Sequence, residues 1–192
     1  LDNFEVLDPD APRDAQRFGD HLVELRRDHA AVLLADGRVL IVGGRAPPVA
    51  ALDTAELVDP GELTSTPLTG RLPSARVAPV AMAPADGDVW IAGGRDEGDA
   101  PVGGVDVLAS GSETFVRVSL AQPAPDLVLP LTGERLLWLW HDASGVRAAV
   151  VARGDDGMPR AYGLTVLMGL AALTGGGPTP GGGALVYGRD AL

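Results

Sequence analysis

The stretch RRDHAAVLLADGRVLIVGG, from Arg26 to Gly44, returns as RVAPVAMAPADGDVWIAGG, from Arg76 to Gly94, after a shift of 50 positions. The two stretches align without gaps, and a fixed period of this length is typical of proteins built from stacked or radial repeats. The positions that match most clearly are Asp36, Gly37, Gly43 and Gly44 in the first copy and Asp86, Gly87, Gly93 and Gly94 in the second. The repeat therefore decides the fold class.

Each copy of the repeat has the pattern of a β-sheet unit. A short apolar run leads into an Asp-Gly pair, which is a strong signal for a tight hairpin because both residues tolerate the positive φ of such turns. A second apolar run ends in the diglycine. Third strands are expected at Ala55 to Val58 and Val105 to Leu108, and fourth strands at Leu63 to Thr66 and Thr114 to Val118. The sequence predicts four-stranded antiparallel units, and the short apolar runs indicate strands covered on both faces.

A family resemblance follows from the string HAAVLLADGRVLIVGG and the later TAELVDP. Together they resemble the bacterial form of the kelch repeat, which is one blade of a β-propeller. The clear blades span about 28–70 and 78–120. The Tyr and Trp that often follow the diglycine in that family are not found after Gly44 or Gly94. The resemblance implies an all-β propeller.

Two further blades match less well. The third, about 126–166, contains DLVLPLTGERLLWLWH, with Leu139 and Trp140 at the place of the diglycine. The fourth is expected to be split between 168–192 and 1–25, because LDNFEVLDP from Leu1 aligns with LDTAELVDP from Leu52. The four blades either close a ring through this shared blade or form part of a six- or seven-bladed propeller. The resemblance favours the larger propeller.

Composition and charge exclude several classes of function. The net charge is −11 and all 15 basic residues are Arg, so the chain lacks the basic stripe that nucleic acid or an anionic membrane surface requires. The absence of Cys excludes disulfides and thiolate metal sites. The longest apolar stretch, Leu164 to Leu173, is too short for a membrane-spanning helix, so no membrane insertion is expected.

Carboxylates concentrate in the loop that follows the second diglycine. Asp96, Glu97 and Asp99 lie there, in the segment RDEGDAPVGG. Oxygen-rich loops of this kind can bind Ca²⁺, but the spacing differs from that of an EF-hand loop, and a solvated loop is favoured. The loops Ala46 to Leu52 and Asp96 to Gly104 occupy equivalent places in successive repeats. We expect them to line one rim, where a partner would bind.

Trp138 and Trp140 share one face of a predicted strand because side chains alternate along a strand. In a chain with few aromatic residues, such a pair either fills the core beside an atypical blade or forms an exposed anchor for a partner. Core packing is favoured, and the pair is also the main candidate for an aromatic contact patch.

Motifs for catalysis are weak. The diglycines are not followed by a helical pattern, so they do not form a phosphate loop. Galactose oxidase and its relatives have a kelch-like propeller with a copper site and a Cys-Tyr crosslink, whereas this chain has no Cys. In the sialic-acid mutarotases that share the fold, Arg, Glu and His surround the channel, and Arg27, His29 and Arg76 are the matching candidates here. Blade-to-blade salt bridges explain the arginines better. We predict no catalytic residues, no metal and no cofactor.

The sequence therefore favours a non-catalytic scaffold that binds another protein or a glycan, within a larger complex or alone. The alternatives are a sugar-active enzyme with its site at the channel and a structural subunit of a secreted or cell-surface assembly. The resemblance and the missing initiator Met suggest a secreted or cell-envelope protein from which a leader has been removed.

Overall fold

The computed structural model describes residues 3–6, 16–48, 50–143, 145–166, 170–181 and 183–190. Within these ranges every helix or strand element is a β-strand, so none is a helix that could span a membrane. The all-β class and the antiparallel four-stranded units predicted from the sequence are confirmed.

Three four-stranded antiparallel sheets follow one another along the chain, each with its strands in the order of the sequence. The first sheet contains β3 (Ala30–Leu33), β4 (Val39–Val42), β7 (Ala55–Asp59) and β8 (Thr64–Pro67). The second contains β9 (Val80–Met82), β10 (Val89–Ala92), β11 (Val105–Leu108) and β12 (Phe115–Val118). The third contains β13 (Leu127–Leu131), β14 (Arg135–Asp142), β15 (Gly145–Arg153) and β16 (Pro159–Val166).

Three smaller hairpins complete the described strands. They pair β1 (Asn3–Val6) with β2 (Gln16–His21), β5 (Arg45–Ala46) with β6 (Ala50–Ala51), and β17 (Leu170–Pro178) with β18 (Ala184–Asp190). In the described residues β1–β2 and β17–β18 form separate two-stranded sheets. The split-blade assignment, and with it the number of blades, stays a prediction.

The sheets are arranged radially. The first strands of successive sheets are neighbours, with β3 beside β9, β9 beside β13, and β13 beside β17. The sheets therefore pack face to face around the line of their innermost strands, and the later strands of each sheet extend outward. Within the three four-stranded sheets, the described connections between strands therefore lie at one of two rims.

The core lies between the sheets, because alternate residues of one strand point to opposite faces. Leu40 and Val42 contact the second sheet, where Val89 and Ile91 are buried against them. Trp90, the residue between those two, points the other way and packs against the third sheet. Burial on both faces explains why these strands are continuous apolar runs.

Strand pairing corrects the predicted position of the missing diglycine. Ala30 pairs with Val42, Val80 with Ala92, and Leu127 with Leu139. The next two residues are Gly-Gly in the first two sheets, so the third sheet has Trp140 and His141 there, one position later than Leu139 and Trp140. Without the glycines β14 continues to Asp142, and a short turn leads directly into β15. The long loop after the diglycine is consequently absent from the third sheet.

Candidate functional site

One rim of the molecule brings together the residues that flank the innermost strands. We call it the diglycine-side rim. It is defined by the residues that precede each first strand, which are His29, Pro79 and Asp126, and by those that follow the diglycine positions, which are Arg45, Arg95 and Asp142. Strand register makes the members of each set equivalent, so they recur at the same level of the three sheets.

A buried arginine supports this rim in the first sheet. Arg26 is almost completely buried, and its Nη1 donates to the carbonyl of Gly43 at 2.9 Å. Its Nη2 donates to Oε1 of the buried Glu56 at 2.7 Å. The guanidinium therefore ties the loop after β4 to β7 from inside the protein.

The second sheet repeats the same support. Arg76 Nη1 donates to the carbonyl of Gly93 at 2.6 Å, and its Nε donates to Oδ2 of Asp106 at 2.9 Å. Arg117 also donates to Asp106, through Nε at 2.6 Å. Burial lowers the pKa of Arg76, and the neighbouring Asp106 opposes that effect. Two sheets thus hold their diglycine loops by equivalent arginine–carboxylate pairs.

Two open pockets meet on the rim beside these supports. The first, of about 280 Å³, has Arg45 and Arg95 on its wall together with apolar groups of β9 and β13 such as Val80. The second, of about 270 Å³, extends toward His141 and Leu173. Arg95, Asp126 and Leu127 line both pockets. The two pockets are therefore one continuous depression with both hydrogen-bonding and apolar walls.

Asp126 and His141 form a pair at the junction of the two pockets. Asp126 Oδ2 accepts from the backbone N–H of His141 at 2.9 Å and lies 3.2 Å from Nδ1 of its ring. Both side chains are about one-third exposed. The carboxylate holds the imidazole where it lines the second pocket.

The predicted carboxylate loop lies next to the depression. Asp99, whose φ is +65°, lines its wall, and the carbonyl of Asp99 accepts from Arg95 Nη1 at 2.7 Å. Asp96 Oδ1 accepts from the backbone N–H of Ala100 at 2.9 Å, while Glu97 is exposed. Asp96 therefore stabilises its own loop. In the described residues no group of three or more His or acidic side chains is placed to bind a metal.

Trp138 and Trp140 lie away from the solvent. Both are buried in the cluster between the second and third sheets, and the Trp138 indole N–H donates to the carbonyl of Pro123 at 2.9 Å. Their burial corrects the interpretation of this pair as an exposed aromatic anchor. The interpretation as core packing agrees with the structure because the large rings fill the interface of the atypical third sheet.

The three residues considered for catalysis are not brought together as a site. Arg76 is buried and bound to Asp106, as expected for a structural ion pair. Arg27 and His29 are exposed near the first strand. Partial desolvation of the ring, followed by the charge of Arg26, lowers the pKa of His29.

Sequence reasoning missed Asp126 as a site residue. The structure pairs its carboxylate with His141 across β13 and β14. A signal was present, because Asp126 occupies the position of His29 and Pro79 directly before a first strand. The signal could be used only after the register of the third sheet was known.

Comparison with known proteins supports the fold but identifies neither a family nor a function. No family model matches the chain, and no curated protein sequence matches it. Among solved structures, the chain is similar to one titled "Structure of YjhT", with a TM-score of 0.67 and 11% identity. The match covers 91% of this chain and 62% of that one, so the chain spans less than two-thirds of its structural neighbour. The sheets, their radial order and this likeness together show that the protein has a fold of the β-propeller type.

Proposed function

We propose that this protein is a non-catalytic binding module that contacts another protein or a glycan through the diglycine-side rim. The observation that supports the proposal is the continuous depression in which Arg95, Asp126 and Leu127 are shared by two pockets. Concave sites with a few convergent polar groups beside apolar walls are typical of ligand sites.

The charged groups of the depression suit a polar ligand. Arg45 lines it, and its side chain makes no hydrogen bond or ion pair within the described part of the chain. Arg95 is held in place by the carbonyl of Asp99. A free guanidinium beside a fixed one offers donors in known directions, and the apolar wall of Val80 and Val128 can cover the face of a sugar ring or an apolar side chain.

The test combines glycan-array binding with affinity capture of protein partners. We expect saturable binding that falls at least tenfold when Arg45→Ala and Arg95→Ala are combined. Arg160→Ala is the matched control, since Arg160 lies in a different sheet and pairs with the exposed Asp156. Equal loss in the control, or no change in the rim variant, would refute the proposal.

A second candidate is a sugar-active enzyme, and the Asp126–His141 pair favours it. A carboxylate that orients an imidazole is a recurring arrangement for general acid–base chemistry. The test is NMR of anomer interconversion in a panel of reducing sugars. Catalysis above the buffer rate that disappears in His141→Gln supports the enzyme, and unchanged rates in the presence of the wild-type protein argue against it.

The role of subunit in a larger assembly and the secreted or cell-envelope location stay predictions. Size-exclusion chromatography with light scattering checks the first. A mass well above 19.7 kDa is the expected sign of assembly.

A further inference from the structure

A second elongated groove lies on the opposite rim, between the first and second sheets. Two open pockets of about 270 and 240 Å³ share Arg38, Leu57, Leu68 and Glu113, so they are continuous. The Asp-Gly turn of the first sheet lies along one side and residues 109–113 of the second sheet along the other. We call this feature the turn-side groove.

The floor of the turn-side groove is apolar. Leu34, Leu57 and Leu68 are partly buried and pack on the core between the two sheets. Val89 and Leu108 continue the floor from the second sheet. A chain segment with an apolar side chain could therefore remove apolar surface from water on binding here.

The edge of the groove carries uncompensated negative charge. Arg38 donates to Asp36 through Nε at 2.9 Å and Nη2 at 2.7 Å, and this contact lowers the pKa of Asp36. The pair is neutral as a unit. Glu62 and Glu113 have no ion pair with an arginine among the residues described, although Glu113 accepts from the Thr69 hydroxyl. Asp59 accepts from the backbone N–H groups of Gly61 and Glu62 and lies within the electrostatic influence of Arg38.

The interface between the second and third sheets shows which side chain occupies the equivalent place. Arg153 of the third sheet extends over the ring of Trp90, with Cζ 5.2 Å from its centroid. It also pairs with Asp86 of the second Asp-Gly turn at 2.7 Å and lies 3.5 Å from Asp88. An arginine with an apolar contact and carboxylate partners thus lies across the equivalent place between the second and third sheets.

The strand register explains why the turn-side groove stays open. Val105 pairs with Ala92 and Ala148 with Leu139, so the position five residues later is Ser110 in the second sheet and Arg153 in the third. Ser110 lines the turn-side groove but is too short to cross it. The chain therefore supplies the arginine at one interface and leaves its place empty at the other.

We propose that the turn-side groove binds an extended peptide segment in which basic residues flank an apolar one. The apolar residue contacts the leucine floor, and the basic side chains pair with Asp59, Glu62 and Glu113. The occupant fills the place that Arg153 takes at the next interface but pairs with other carboxylates, because Arg38 stands at the position of Asp88 and already pairs with Asp36. This site is separate from the diglycine-side rim and does not depend on the function proposed for that rim.

The test is fluorescence polarisation with the labelled peptide GRRLLRRG and the intact chain. We expect saturable binding that weakens at least tenfold in Ser110→Arg, because the new arginine takes the place of the ligand. Glu62 is exposed, and Glu62→Lys should also weaken binding at least tenfold. Asp155→Lys makes the same charge change in the third sheet and should stay within twofold of the wild type.

Competing explanations are separated by three further probes. The peptide GRRSSRRG should bind at least tenfold more weakly, GEELLEEG should not bind, and spermine should not compete at equal concentration. Equal binding of GRRSSRRG or effective competition by spermine would show a nonspecific cation surface and overturn the proposal. Equal weakening in Asp155→Lys, or full binding in both groove variants, would also overturn it. Circular dichroism of each variant confirms that the fold is retained, and Glu62→Lys serves if Ser110→Arg does not fold.

Discussion

Arg26 and Arg76 show how much of a residue's role can be derived from the sequence. The 50-residue shift makes them equivalent, but an arginine in a sequence is ordinarily taken as exposed. Both are almost completely buried here. The third sheet has lost the whole pair, since register places Pro123 and Ala149 at the positions of Arg76 and Asp106. This joint loss fits the high cost of leaving one buried charge without its partner.

Arg76→Met should therefore destabilise the protein by about 3 kcal/mol, because it leaves Asp106 buried with Arg117 alone. The double variant Arg76→Met with Asp106→Leu should be more stable than the single one. Urea unfolding measures both. A double variant that is less stable than Arg76→Met would contradict the view that the pair acts as a unit.

His29 gives a prediction for pH. Its pKa is lowered from 6.5 in the folded protein, so the folded state binds fewer protons than the unfolded state just below that value. The contribution of His29 to stability should be complete above pH 6.5 and decrease as the pH falls toward the folded-state pKa. NMR titration of the ring should show a midpoint below that of His29 in the unfolded chain. A midpoint above that of the unfolded chain would mean that protonation of His29 stabilises the folded state, which would contradict the prediction.

At the scale of the element, the diglycine explains both the success and the limit of sequence reasoning. Where the glycines are present, the strand ends and the turns follow from the sequence. Where Trp140 and His141 replace them, the sequence left the end of the strand uncertain by one residue, and only the pairing of Leu127 with Leu139 resolved it. Asp126 was missed for the same reason, because its partner His141 could not be placed until the register was known.

Gly44 and Gly37 form a matched pair for testing this element. Both have positive φ, of +100° and +89°, but a Cβ on Gly44 would lie 2.6 Å from the carbonyl oxygen of Arg27, whereas a Cβ on Gly37 would meet nothing within 4 Å. Gly37→Ala should cost about 1 kcal/mol from backbone strain alone. Gly44→Ala should cost about 3 kcal/mol because a backbone clash is added. If thermal unfolding shows a similar loss of stability for the two variants, the close approach of Gly44 to the Arg27 carbonyl is unimportant.

At the scale of the whole molecule, neighbouring sheets are joined by apolar surfaces and by a few side chains that cross between them. The repeat predicted that the sheets stack. The specific crossing contacts lie outside the repeat, since Arg153 corresponds to Ser110 one sheet earlier. The sequence repeat predicts the contacts that recur from sheet to sheet. The contacts that differ between interfaces can be assigned only from the strand register of the structure.

Arg153→Ala should destabilise the molecule by about 1–2 kcal/mol, because it removes the contact with Trp90 and the ion pair with Asp86. Hydrogen exchange should increase in both β10 and β14, which face each other across this interface. Arg160→Ala removes only an exposed pair and should cost less than about 0.5 kcal/mol. Faster exchange confined to the third sheet would show that Arg153 does not couple the two sheets.

The buried arginines also have an evolutionary consequence. They hold the diglycine loops from inside, through the carbonyls of Gly43 and Gly93, so part of the support of these loops does not depend on the side chains at the rim. Arg45 can be exchanged at little cost in stability. Single substitutions could therefore change the specificity proposed for the rim while the sheets below it stay the same.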